Sequence, residues 1–406
     1  MDFAHSEKTQ DYIARVKAFM DEHVYPVEEQ MYRETEELNP TGDWTKWQMH
    51  PFIEPLKKKA QQAGLWNLFL PDDELGQGLT TLEYAPLAEE MGRVLFASEI
   101  FNCNAPDTGN MEVLYHFGNE QQKDQWLKPL LAGEIRSVFG MTEPDVASSD
   151  ATNMQATVEV DGDELVLNGK KWWSTGLGHP NAKVTIFMAL SNPENNKHSQ
   201  HSMVIVPLDT PGIEIKRMLS AYGDFDAPSG HGEMHFTDVR VPKENLLVGL
   251  GQGFAIAQGR LGPGRIHHCM RSIGAAEKAL ELAMKRSMSR SAFGKPLLKL
   301  GGNGERIAQA RIAIHQARLM TLHAAWKIDE VGVKNAMTEI SAIKVAVPKM
   351  LQDVVDMSVQ LHGGAGMCSD FPLARFAAGA RALRLADGPD EVHMGMVTRL
   401  ELKKYT

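Results

Sequence analysis

Apolar residues recur every three or four positions near the start of the chain: Tyr12, Ile13, Val16, Phe19, Met20 and Val24. This period predicts an α-helix with one buried face, and Pro26, which lacks a backbone N–H, marks where the pattern stops. A second helical run, LEYAPLAEEMGRVLFA, begins at Leu82 after the turn-rich PDDELGQGL, and a third, NEQQKDQWLKPLLAGE, carries the chain to Glu134. From about residue 135 the pattern changes to short β-branched and alternating segments, MQATVEV, DELVL, KVTIFMAL, SMVIVPL and GIEIKR, separated by Gly, Pro, Asn and Asp. Asp161-Gly162 and Asn168-Gly169 read as tight turns between antiparallel strands. After GLGQGF the helical period returns, with Ile273, Ala276, Leu280, Ala283 and Met284 on one stripe. The expected order is thus a helical domain over 1–134, a β domain over 135–247 and a second helical domain over 248–406.

Composition narrows the function. A chain of 406 residues, 43% hydrophobic, can bury a large core. A formal net charge of −10 argues against nucleic acid as the main partner. No apolar run approaches the roughly eighteen residues of a membrane span, and MDFAHSEKTQDY reads as neither a signal nor a transit peptide. The expected location is the cytoplasm, or the mitochondrial matrix if a presequence was removed. Cys103, Cys269 and Cys368 are too scattered for a disulfide framework or a zinc site. His267 and His268 are sequence neighbours and so point to different sides of a helix, which argues against a shared metal. Gly249, Gly251 and Gly253 lack the βαβ setting of a dinucleotide fingerprint and read as a turn entering a helix.

Five segments carry candidate chemistry. FGMTEPDVASSD, from Phe139 to Asp150, offers hydroxyls and turn N–H groups, either as a ligand loop or as a polar turn. NGKKWWSTG, from Asn168 to Gly176, sets two tryptophans beside Ser174 and Thr175, which suits a flat ring with polar edges or, for one Trp, core packing. RSAFGKPL, from Arg290 to Leu297, joins a guanidinium to a Phe-Gly turn, an arrangement that matches a diphosphate. QLHGGAG, from Gln360 to Gly366, lets backbone approach a ligand. In LADGPDEVH, Asp387 sits among apolar residues before a Gly-Pro turn, as a helix-end cap or as a base in a dry pocket.

Together and in this order, FGMTEP, KWWSTG, RSAFGK, QLHGGAG and ADGPDEVH resemble the acyl-CoA dehydrogenase family over nearly the whole chain. The resemblance implies an α+β multidomain fold: an N-terminal α-helical domain, a central β-barrel-like domain and a C-terminal four-helix bundle. It also implies a homotetramer or homodimer with FAD at subunit interfaces. Phe139, Met141 and Thr142 match flavin contacts, and Ser149 a CoA contact; Trp173, Ser174 and Thr175 match residues beside the isoalloxazine ring. Arg290 and Phe293 match the pair that reaches a neighbouring subunit's FAD, and Gln360 and Gly364 the contacts to its ADP part. Arg265 matches an arginine near the catalytic base, and Asp387 the base itself, where glutamate is usual.

The implied reaction is α,β-dehydrogenation of an acyl-CoA. Asp387 takes a Cα proton, the Cβ hydride passes to flavin N5, and the N–H of Gly388 or Asp387 polarises the thioester carbonyl. An electron-transfer flavoprotein then reoxidises the flavin. The family's pattern is broken at Pro389, Glu391 and Gly301, where Thr, Gln and Gln are common, and the alternative base position falls on Gly264. The ADGPDEVH end, RLGPGRIHH and MTEPDVASSDATN together resemble the subgroup whose animal members are sometimes fused to a phosphotransferase-like domain and are linked to 4-hydroxyacyl-CoA breakdown through 4-phosphoacyl intermediates. In that setting Arg265, His267 and His268 form a basic cluster for an extra phosphate. A flavin oxidase of the same fold, nitroalkane oxidation included, and a non-catalytic flavin-bearing scaffold are the alternatives.

Overall fold

The computed structural model describes residues 4–405. Its contacts gather into two compact units, one from the described parts of 1–33, 56–101 and 262–406, the other from 34–55 and 102–261. Among the described residues no helix is long and apolar enough to cross a membrane, and no cluster of His, Cys, Asp or Glu could hold a metal ion.

The first unit is helical. The helix Glu7–Phe19 does not end the helical path at Pro26 as the periodicity predicts. A π turn over Met20–Val24 and a 3-10 turn over Tyr25–Val27 absorb the proline, and a new helix starts at Glu28. Further along, Thr80 and Glu83 form a capping box at the start of Thr81–Met91, and both Asp329 carboxylate oxygens accept from the N–H groups of Thr81 and Leu82. The long helices Gly253–Ser289, Asn303–Val331 and Met337–His362 are followed by Leu373–Leu383 and Asp390–Leu402. Ile273, Ala276, Leu280 and Ala283 are buried, as their spacing predicts. Glycine permits a close helix approach: a Cβ on Gly274 would lie 1.9 Å from the Glu89 carbonyl oxygen, and one on Gly92 would lie 2.2 Å from that of Arg271.

The second unit is built on a seven-stranded sheet of β1 (Arg136–Gly140), β2 (Thr157–Asp161), β3 (Glu164–Thr175), β4 (Ala182–Leu190), β5 (His201–Pro207), β6 (Ile213–Leu219) and β7 (His231–Pro242). The spatial order is β1-β4-β2-β3-β7-β6, with β5 on β4. Asp161-Gly162 does open the β2–β3 turn. Asn168-Gly169 does not turn: it lies inside β3 at an irregularity opposite β7, with Leu167 facing Val239 and Gly169 facing Phe236. A Cβ at Gly169 would fall 2.5 Å from that of Ala156, and Asn168 accepts the Asp238 N–H at 2.8 Å. The sheet is not a purely antiparallel meander either, because β1 pairs with β4 in parallel. β4 is buried continuously from Val184 to Ala189, the apolar run expected of a strand covered on both faces. The core gathers Val138, Leu165, Leu167, Phe187, Val206, Met234 and Phe236 around the inner sheet face, with Trp47 closing it.

The helix Asp107–Phe117 is buried through Leu114. Asp107 pairs with Arg136 at 2.8 Å and accepts from the Ser137 N–H and hydroxyl, each at 2.6 Å. Glu112 has no such arrangement. Its Oε2 is buried without a hydrogen-bond partner among the described residues, and burial pushes its pKa up to about 8 against the pull of Arg260. Between the ordinary value of 4.5 and about 8, the unfolded chain has lost a proton that the folded one keeps, so stability falls as pH rises across that window. Glu112→Gln cannot titrate there. Its melting temperature, set against wild type by differential scanning fluorimetry, is expected to improve by several degrees between about pH 5 and about pH 8; an equal offset at both values contradicts the assignment.

Candidate active site

In the helical unit, Asp387 lies between Leu373–Leu383 and Pro389, the N-cap of Asp390–Leu402. Its φ is +54° and that of Gly388 is +99°. Aspartate tolerates this left-handed region better than most side chains, and Gly388 needs to be glycine because a Cβ would also sit 2.9 Å from His393 Nε2. The Asp387 carbonyl accepts from Arg265 Nε at 3.3 Å, from Arg265 Nη2 at 3.2 Å and from His393 Nε2 at 3.1 Å. Lys344 Nζ donates to the Leu383 carbonyl and approaches that of Gly388 at 3.5 Å. The backbone is thus held from three helices, while the carboxylate stays 22% exposed. Burial lowers the Arg265 pKa, and burial with the nearby Arg265 takes that of His393 down to about 4, so the His393 ring is neutral and donates from Nε2. The Gly388 N–H has no hydrogen-bond partner among the described residues.

His268 Nε2 stands 3.5 Å from Asp387 Oδ2. His267 does not join the basic cluster expected with it. It is buried edge-on to the rings of Tyr84 at 4.8 Å and Phe69 at 6.3 Å, and burial holds its pKa well below the ordinary value. Neighbouring positions on a helix face different ways, so of the three residues expected in that cluster Arg265 and His268 reach Asp387 and His267 does not.

Arg290 precedes a small hairpin, Ser291–Ala292 against Lys295–Pro296, whose tip is Phe293 at φ +51° and Gly294 at φ +74°. Positive φ at both central residues makes the twist of a tight hairpin, and phenylalanine is unusual there. Phe293 is 95% exposed. Gln360 is exposed near the end of Met337–His362, and Gly364 follows in a 3-10 turn with nothing within 4 Å of a notional Cβ. Gly301, at φ +53°, precedes the helix Asn303–Val331, and Glu391 is exposed in the first turn of its helix.

In the sheet unit, Phe139 lies in β1 with the Arg260 guanidinium 3.9 Å from its ring centroid. The Met141 carbonyl accepts from Lys171, the Thr142 carbonyl accepts from the Trp172 N–H at 3.0 Å, and the Thr142 and Ser149 residues are exposed. β3 is irregular between Lys171 and Ser174, where Trp173 takes φ +51° and is 43% exposed. Its ring lies 5.8 Å from that of His231, and His231 Nδ1 is 2.9 Å from the Thr175 hydroxyl. Trp173, Thr175 and His231 therefore gather together. Ser174 is fully buried, its hydroxyl without a partner among the described residues, so it is set apart from that group. His231 was not legible as a site residue. It enters only as the cross-strand partner of Thr175, a pairing fixed by the register of β3 on β7.

The family models for the acyl-CoA dehydrogenase N-terminal, middle and C-terminal domains match residues 6–134, 138–239 and 251–401. The chain is 52% identical to acyl-CoA dehydrogenase family member 11 of Gallus gallus over 98% of its own length and 51% of that protein's. It thus spans about half of that curated relative. It is 51% identical to the "probable acyl-CoA dehydrogenase FadE2" of Mycobacterium tuberculosis, covering 100% of this chain and 98% of the other. Among solved structures, a candidate acyl-CoA dehydrogenase from Mycobacterium abscessus superposes with a TM-score of 0.97 at 58% identity, with 100% of each chain covered. Three consecutive family models and relatives half identical over almost the full chain place it: the protein belongs to the acyl-CoA dehydrogenase family, which uses FAD.

Proposed function

We propose that the chain oxidises an acyl-CoA thioester to the trans-2-enoyl-CoA with Asp387 as the base. The observation that carries this reading is the pairing of a partly exposed, backbone-clamped carboxylate with an unpartnered Gly388 N–H beside it. A carboxylate so placed takes the Cα proton, and the N–H stabilises the negative charge that develops on the thioester oxygen, a contact of a type often worth about 3 kcal/mol. The hydride leaving Cβ would need an acceptor, which FAD would supply when held by the residues below.

The donor set suits that cofactor. The open Trp173 face with the Thr175 and Thr142 hydroxyls matches a flat ring with polar edges, and Phe139 and Met141 border the same loop. Arg290 suits a diphosphate, and Gln360 and Gly364 leave room for the adenosine side. An apolar ring as exposed as Phe293 favours cover by a second copy of the chain, which supports a homodimer or homotetramer sharing FAD contacts through Arg290 and Phe293. Ser149 is assigned to CoA, and Ser174 contributes to the cofactor side only through its backbone. Reoxidation by an electron-transfer flavoprotein completes the turnover.

Anaerobic titration of the purified flavoprotein with butanoyl-, octanoyl-, palmitoyl-, isobutanoyl-, 4-hydroxypentanoyl- and 4-phosphopentanoyl-CoA tests the reading. Bleaching of the visible flavin band by one of these thioesters is the expected result. No bleaching by any of them, or steady oxygen consumption with substrate and no added acceptor, overturns it in favour of a scaffold or an oxidase.

A further inference from the structure

Arg265, His268 and Arg271 lie at successive three-residue steps on the helix Gly253–Ser289, so they form one stripe. Arg265 grips the Asp387 carbonyl, and His268 Nε2 stands 3.5 Å from Asp387 Oδ2. Arg271 Nη2 is 3.1 Å from His268 Nδ1. A guanidinium only donates, so Nδ1 must be the acceptor, and the proton of a neutral imidazole is then on Nε2, towards the carboxylate. Arg271 is itself fixed at the tight crossing with Gly92.

The other charged or titratable groups facing this point are buried Arg265 and Cys269 on the same helix, Lys344 on Met337–His362, and Asp390 and His393 on Asp390–Leu402. Cys269 is a neutral thiol, its pKa pushed up to about 12 by burial, and Asp390 is engaged by Arg384 at 2.7 Å. Lys344 and His393 donate to backbone carbonyls. His268 is the group in this set placed to donate to the carboxylate oxygen itself.

We propose that His268 is a positioning residue for the base: directed by Arg271, its Nε2–H holds one oxygen of the Asp387 carboxylate and leaves the other turned to the substrate Cα–H. This rests on Asp387 being the base. Aspartate is one methylene shorter than the glutamate usual in the family, and a short side chain needs its carboxylate plane set correctly because it has less reach to correct an error. A donor at Nε2 hydrogen-bonds the ionised carboxylate and so favours it over the protonated form.

The test is stopped-flow anaerobic reduction of the holoenzyme, from roughly pH 6 to 9, by the thioester of the panel above that bleaches wild type. His268→Leu is expected to slow reduction roughly ten- to a hundredfold, to leave the substrate Kd within about threefold and to move the acid limb of the rate profile to higher pH. His268→Gln, which keeps an N–H, is expected to regain most of the rate. Arg271→Met, which frees Nδ1 and so the tautomer, is expected to shift the limb in the same direction by less. A wild-type rate and an unmoved limb in His268→Leu overturn the proposal, as does an equal loss in His268→Leu and His268→Gln, the mark of a packing role. If His268→Leu does not fold, an unmoved limb in Arg271→Met overturns it. Should Asp387→Asn still reduce its flavin at the wild-type rate, it is the base assignment that fails.

Discussion

Asp387→Asn is expected to purify with its flavin bound and to bind acyl-CoA, yet to be reduced by it roughly 10³- to 10⁴-fold more slowly than wild type. The substitution is close to isosteric, and asparagine accepts the positive φ of this position as readily as aspartate, so the Arg265 and His393 bonds to the residue 387 carbonyl are expected to persist. What disappears is the only feature the amide cannot supply, a group able to take a proton. Asp387→Glu makes the complementary case. It restores the carboxylate usual in the family, but one methylene longer and on a φ of +54° that suits glutamate less well than Asp or Asn. Reduction about ten- to a hundredfold slower than wild type is expected, set by misplacement of the carboxylate. Stopped-flow absorbance at the flavin band separates the outcomes. Wild-type reduction by the Asn variant would falsify the role of Asp387.

Asp387 could be singled out from sequence because a carboxylate before Gly-Pro carries its signal locally. Of the groups around it, Arg265 was legible through the family resemblance and His268 only as a member of a basic cluster, whereas Lys344 and His393 carried no signal. Arg265, His268, Lys344 and His393 come from three helices, and only their packing brings them to one turn. His267 shows the reverse error: the subgroup resemblance grouped it with His268 in a basic cluster, whereas the helix turns it into the aromatic contacts of Tyr84 and Phe69. Thr175 and Trp173 were legible as hydroxyl and ring, but His231, 56 residues on, was invisible until β7 paired with β3.

The fold was legible where one period ran unbroken, as along Ile273 to Ala283 and through the apolar run of β4. It was obscured where a backbone irregularity reset the phase. In β7 the buried positions step Gly232, Met234, Phe236 and then Val239, Val241, because Asp238 takes φ +49° opposite the irregularity at Asn168-Gly169. Neither strand alternates along its full length, so β7 and the second half of β3 do not read as strands although they form the longest pairing in the sheet.

Lys171→Met is expected to lower the melting temperature by about 10 °C and to weaken FAD binding to the apoprotein at least about tenfold, for one reason. Lys171 is fully buried, with Nζ 2.8 Å from Glu143 Oε1 and 2.9 Å from the Met141 carbonyl. Glu143 also accepts the N–H groups of Gln155 at 2.7 Å and Ala156 at 3.0 Å, so the pair closes a network in which every charge is answered. Burial takes the Lys171 pKa down to about 8 against the pull of Glu143, and at about pH 7 the ion pair is therefore present. Methionine fills similar volume but strands the Glu143 carboxylate with two backbone donors, and a buried charge that loses its partner costs about 3–5 kcal/mol. Adding Glu143→Gln removes the stranded charge and should recover much of the melting temperature. It should not restore the flavin affinity, because the Lys171 bond to the Met141 carbonyl, which sets the loop carrying Thr142, is still missing. Scanning calorimetry with flavin-fluorescence titration of the apoprotein reads both quantities: recovery of stability without recovery of affinity assigns Lys171 to shaping the cofactor loop, and recovery of both reduces it to an ion pair in the core.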